Sequence, residues 1–172
     1  IPGFHPDPSV CRVGEDYYLV VSSFEYFPGV PIFHSRNLTD WRLIGHCIHS
    51  SSQLDLTGAR SSGGIYAPTI RYHEAHFYIV TTHVGGIGHF YVSATDPEGP
   101  WSDPITVDQG GIDPSLLFDN GTVYFSSTGV EEGVQGIYQC EIDIATGKKT
   151  ARTRLIWHGT GGRYPEAPHL YR

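Results

Sequence analysis

The sequence has no run of about 18 apolar residues, so no segment reads as a membrane-spanning helix. Basic residues are scarce. Lys and Arg number 11 against 18 Asp and Glu, for a formal net charge of −7. That balance repels phosphate backbones and sets nucleic acid aside as a partner. Cysteine is limited to Cys11, Cys47 and Cys140, an odd and widely spaced set. It fits neither a dense disulfide framework nor a zinc motif, so buried free thiols are expected. Ten His are scattered and complete no zinc-site motif, so no metal site is read from them. There is no phosphate-binding glycine loop before a helix, and Gly85-Gly86-Ile87-Gly88 and Gly161-Gly162 read as loop glycines. A Gly-x-Ser-x-Gly nucleophile elbow is also missing. Methionine is absent, even at the start. The chain opens on Ile1-Pro2-Gly3, and a leader or a longer N-terminus is expected to precede it.

What is present points to β-structure. Hydrophobic residues make up 39% and charged residues 17%, which favours a folded domain over disorder. Aromatics reach 13%, suited to strand packing and to stacking on sugar rings. With 21 Gly and 12 Pro, long helices find little room. Asn37-Leu38-Thr39 and Asn120-Gly121-Thr122 are glycosylation sequons.

A motif recurs four times. Asp7-Pro8-Ser9-Val10, Ala67-Pro68-Thr69-Ile70, Asp113-Pro114-Ser115-Leu116 and Ala167-Pro168-His169-Leu170 each place a small or acidic residue before Pro, then a polar and an aliphatic residue. The first three lead through a short turn into a β-rich run, 16–23, 76–82 and 122–128. The turns carry Gly14-Glu15, His73-Glu74-Ala75 and Asn120-Gly121, the last a strong hairpin signal. A later feature, a turn ending in Trp41 and again in Trp101, announces an outer strand, and Leu155-Ile156-Trp157 is a looser echo. Repeats of roughly 40–60 residues with about four short strands each describe a β-propeller. A β-sandwich explains the strands but not the recurrent Pro motif. Residues 1–172 hold about three units and the first strand of a fourth, so the chain is expected to be part of a longer propeller.

The acidic residues fall into this register. Asp7 and Asp113 share one place in two units, and Glu166 stands one residue ahead of that place in another. First strands line a propeller's axis, so these carboxyls are predicted to converge. Carboxyls in one pocket raise one another's pKa, and burial raises it further. One can then stay protonated as an acid while another stays ionised as a base, as glycoside hydrolysis requires. The second unit has Ala67 here, so the turn itself does not need a carboxyl. Glu25 sits among Phe24, Tyr26 and Phe27, where it either binds sugar hydroxyls or ties the loop. His5 and His169 flank the carboxyls and are candidates for hydrogen bonds in the pocket.

Five segments taken together resemble glycoside hydrolase family 43, in its β-xylosidase and α-L-arabinofuranosidase branch. They are Gly3-Phe4-His5-Pro6-Asp7-Pro8-Ser9, the stretch from Ser23 to Ile32, Ser62-Gly63-Gly64-Ile65-Tyr66-Ala67-Pro68, Gly111-Ile112-Asp113-Pro114-Ser115 and the stretch from Tyr164 to Tyr171. The resemblance implies an all-β, five-bladed propeller and an inverting glycosidase acting on an oligosaccharide. It implies Asp7 as general base, Glu166 as general acid, and Asp113 as the carboxylate that tunes and orients the acid. Phe24 and Tyr66 match positions that wall the sugar pocket, the latter often Trp in the family. No cofactor is required. Some members hold calcium on the propeller axis, so a structural calcium is implied for the complete ring, with no ligand assigned in this chain. Remaining blades and any C-terminal β-sandwich lie outside residues 1–172, and no oligomeric interface is assigned. Two alternatives stay open: a carbohydrate-binding propeller without catalysis, and a retaining propeller hydrolase of the fructan-cleaving type. The motifs of the latter, Asp-Pro-Asn-Gly and Arg-Asp-Pro, are absent.

Overall fold

The computed structural model describes residues 1–172, and all its regular structure is β-strand. No helix is long and apolar enough to cross a membrane. Thirteen strands form three antiparallel sheets in chain order. The first holds β1 (Ser9–Val13), β2 (Asp16–Val20), β3 (Gly29–Ser35) and β4 (Arg42–Ile48). The second holds β5 (Gly64–Ile65), β6 (Thr69–His73), β7 (His76–Val84), β8 (Gly88–Ala94) and β9 (Ile105–Thr106). The third holds β10 (Ile112–Asp119), β11 (Thr122–Glu131), β12 (Val134–Ile142) and β13 (Arg154–Trp157). Strands in the first and third pair strictly with their sequence neighbours, and β5 and β6 both pair β7 as one interrupted inner strand. These are three blades of a β-propeller.

The turns follow from their residues. Gly14-Glu15 joins β1 to β2 with positive φ only at the glycine, while Asn120-Gly121 joins β10 to β11 with positive φ at both. These are the primed turns whose twist matches a strand pair. Glu74-Ala75 makes the same two-residue turn with φ of 47° and 62°, although neither residue favours that region. Trp41 and Trp101 do precede outer strands. Leu155-Ile156-Trp157 differs: it lies inside β13, so the aromatic there is part of the outer strand rather than its herald.

Blades pack face to face. Ile32, Ile48, Ile70, Ile79 and Phe90 fill the interface of the first and second blades. Val80, Tyr91, Leu116 and Phe125 fill that of the second and third. Each fully buried Ile or Phe contributes about 1.5–3 kcal/mol. The middle blade is buried on both faces, so β7 reads as a nearly continuous buried run instead of alternating. Inner strands of neighbouring blades share no ladder, and the polar residue of the repeat motif links them instead. Ile70 N donates to Ser9 Oγ at 3.2 Å, and Thr69 Oγ1 donates to the Pro114 carbonyl at 2.9 Å. The segment expected to open a fourth unit, Ala167–Tyr171, forms no ladder. Side chains dock it instead: Arg71 lies 4.7 Å over the Tyr171 ring, and Arg172 pairs with Asp119 at 2.8 Å.

All three cysteines are free, Cys47 and Cys140 fully buried and Cys11 partly so. Burial pushes Cys11 up to about 12 and Cys140 up to about 11, so these thiols are unreactive at neutral pH.

Candidate active site

Asp113 sits in a β-bulge. Ile112 pairs Thr128 and Ser115 pairs Ser126, so Asp113 and Pro114 together oppose Ser127 alone. The extra residue re-aims a side chain next to a ladder. Gly111 permits the approach, since a Cβ there would stand 1.6 Å from the Thr128 carbonyl oxygen. The first blade repeats the arrangement. Ser9 pairs Val20, and Ser22 N donates to the Pro6 carbonyl at 3.1 Å, leaving Asp7 and Pro8 opposite Val21.

Asp7, Asp113 and Ala167 are left-handed, with φ of 54°, 54° and 49°. A residue before proline is normally driven to extended backbone, so three such residues at matching places mark a geometry the fold imposes. Ala67, at the same place in the blade without a carboxyl, is not left-handed.

Burial pushes Asp113 up to about 6, helped first by the charge of Glu166 and then by that of Asp7; the nearby Ala167 N–H pulls the other way. Both of the other carboxyls therefore lie close enough to act on Asp113. Asp7 and Glu166 are exposed, while Asp113 is half-buried between them and the blade. Ser22 Oγ donates to Asp7 Oδ2 at 2.5 Å.

Phe24 is held to the second blade by two backbone bonds. Its N donates to the Ile65 carbonyl at 2.8 Å, and Ile65 N returns one at 3.0 Å. Gly64 is required beside them, because a Cβ would meet the Phe24 oxygen at 2.3 Å. Phe24 and Tyr66 meet edge to face at 5.4 Å, and Phe4 joins Phe24 at 5.9 Å. Tyr66 Oη donates to the Ser62 carbonyl at 3.0 Å. Glu25 ties the loop: its Oε2 accepts from Ser62 N at 3.1 Å. Neither flanking histidine is bonded to a carboxyl. His5 bonds the Pro2 carbonyl through Nε2 at 3.1 Å, and His169 bonds Tyr171 through Nδ1 at 3.3 Å.

Two sets of residues carry structure that sequence reasoning left without a role. Arg71 donates to the Leu116 and Ile70 carbonyls while stacking on Tyr171, so one side chain ties the second blade, the third blade and the last segment. The hydroxyl residues Ser22, Thr82 and Thr128 stand at corresponding places, each two residues beyond the strand partner of Ser9, Thr69 or Ser115. Their repetition was the available signal. No group of three or more His, Cys, Asp or Glu side chains is placed to hold a metal ion.

The sequence model for "Glycosyl hydrolases family 43" matches residues 1–172. A relative from Bacteroides ovatus, "Non-reducing end alpha-L-arabinofuranosidase BoGH43B", is 46% identical over all of this chain and 33% of its own length. A "Xylosidase/arabinosidase" of Butyrivibrio fibrisolvens is 46% identical over all of this chain and 35% of its own length. The solved xylan beta-1,4-xylosidase from Bacillus halodurans C-125 superposes with a TM-score of 0.89 at 40% identity, over 99% of this chain and 35% of that one. The chain thus spans about a third of the length of the curated relatives it matches. By its whole-length match and these identities, the chain belongs to glycosyl hydrolases family 43.

Proposed function

We propose that the polypeptide carrying this chain is an inverting, exo-acting glycoside hydrolase that releases xylose or arabinose from xylo-oligosaccharides or arabinoxylan-type substrates. The observation that carries the reading is the environment of Asp113, which feels the charges of both Glu166 and Asp7 from other segments of the chain. The names of the relatives, arabinofuranosidase and xylosidase/arabinosidase, support this substrate class.

In this reading Glu166 protonates the leaving glycosidic oxygen. Asp7, held by Ser22, takes a proton from a water on the opposite face of the sugar, and that water attacks the anomeric carbon. Asp113 contacts the acid's segment and sets its position and charge. Phe24 and Tyr66 wall the sugar that is released, with the tyrosine presenting a smaller ring than Trp. The chemistry needs two carboxyls and one water, so no cofactor enters a step; calcium, where the complete ring holds it, is structural.

The test is Glu166→Gln in the longest natural polypeptide that contains this chain. Turnover of substrates with poor leaving groups should fall by about 10²–10⁴, while an activated aryl glycoside loses far less. Near-normal turnover of the poor leaving groups would contradict the assignment. A carbohydrate-binding propeller would instead bind xylo-oligosaccharides and release no sugar.

A further inference from the structure

Thr128 occupies the place in the third blade that Ser22 occupies in the first: Ser22 lies two residues beyond the partner of Ser9, and Thr128 two beyond the partner of Ser115. Both are buried, at 2% and 6% exposure. Ser22 gives its hydroxyl to Asp7 within its own blade. Thr128 Oγ1 instead reaches out of its blade and donates to the Pro165 carbonyl at 2.8 Å. That carbonyl belongs to the peptide immediately before Glu166. On the other side of Glu166, the N–H of Ala167 lies against Asp113. Glu166 is therefore flanked on both sides by contacts to the third blade, although no ladder holds residues 158–172.

We infer that Thr128 is a positioning residue for Glu166: its hydroxyl anchors the Pro165–Glu166 peptide so that the carboxyl is presented to the leaving-group oxygen. The inference rests on Glu166 being the general acid. Thr128 is buried, and its hydroxyl acts through one hydrogen bond to the Pro165 carbonyl. Without it, the only side-chain bond made by the third blade to the peptide before Glu166 is gone. Its backbone keeps the Ile112 pairing, so the bulge at Asp113 survives. A misplacement of about 1 Å costs on the order of a hundredfold in rate, so loss of one anchor is enough to register.

The experiment compares Thr128→Val, Thr128→Ala, Thr128→Ser and Glu166→Gln in the longest natural polypeptide containing the chain. Valine keeps the shape without the hydroxyl, and alanine serves if valine strains the fold. Ser127→Ala is the structural control, since Ser127, the neighbour of Thr128 on the same strand, donates to the Gly110 carbonyl and accepts from Gln109 Nε2 but does not bond the acid's segment. Rates are measured on 2,4-dinitrophenyl, 4-nitrophenyl and phenyl β-xylosides and α-L-arabinofuranosides. Thr128→Val should lose about tenfold to a hundredfold in kcat on the phenyl glycosides and little on the dinitrophenyl glycosides. Thr128→Ser should recover most of that loss, and Ser127→Ala should show no dependence on the leaving group. An equal loss on all leaving groups, or no loss, while Glu166→Gln shows the split, overturns the role of Thr128 alone. Absence of the split in Glu166→Gln overturns the acid assignment, and the role of Thr128 with it.

Discussion

Ser22 and Thr128 stand at the same place in two blades, and each gives its hydroxyl to a segment that carries a candidate carboxyl. In Ser22 the bond is direct, to Asp7 Oδ2 at 2.5 Å. A hydroxyl bonded to a charged carboxylate contributes about 1.5–3 kcal/mol and also fixes its direction. A base that must aim at one water depends on that direction.

Ser22→Ala should therefore lower kcat by about tenfold or more with a small change in KM. Steady-state kinetics on a xyloside and an arabinofuranoside check this. A rise in KM with kcat unchanged would place Ser22 in sugar binding instead.

Asp113 gives the fold a dependence on pH. Its folded value, about 6, lies above the ordinary 3.8, so the native state holds this proton more tightly than the unfolded chain does. The associated stability is fully present below about pH 3.8 and is lost as pH rises through 6. Discounted for solvent screening at a half-exposed group, the loss is on the order of 1 kcal/mol. Asp113→Asn should melt above the parent at pH 7.5, and the gap should close below pH 4. Melting curves across that range decide it; a variant that melts at or below the parent at pH 7.5 would contradict the electrostatic account.

The turn at Glu74-Ala75 carries unrelieved strain. Both residues adopt positive φ, at a cost of about 1–2 kcal/mol each for ordinary side chains. Asn-Gly suits this turn, so the double change Glu74→Asn with Ala75→Gly should stabilise the protein by about 1 kcal/mol after the added glycine entropy. The exposed Glu74–His73 pair at 3.7 Å that it removes contributes little. Thermal or chemical denaturation would show the gain, and activity should be unaffected.

Much of this was legible in the sequence because the repeat is local. The Pro motif, the Gly14-Glu15 and Asn120-Gly121 turns and the β-rich runs all depend on short stretches, and the strands formed where those stretches lie. The register of Asp7 with Asp113 was legible for the same reason. What the repeat did not reveal depends on contacts between blades. That Glu25 ties its loop depends on Ser62, 37 residues away. Arg71 reads as an ordinary strand residue until its guanidinium is seen reaching Leu116 and Tyr171. A hydroxyl residue recurs at this place in all three units, yet Ser22, Thr82 and Thr128 bond three different partners, Asp7, His89 and Pro165. Sequence position alone does not say which.

The central claim is that Asp7 activates water on one face of the sugar while Glu166 protonates the leaving oxygen on the other. Proton NMR of the first-formed sugar tests this most directly. The longest natural polypeptide containing the chain is given an aryl β-xyloside, and the anomeric signal is followed before mutarotation. The account predicts that α-xylose appears first, by a single displacement. Initial release of β-xylose would mean a covalent intermediate and a nucleophile, and would contradict it.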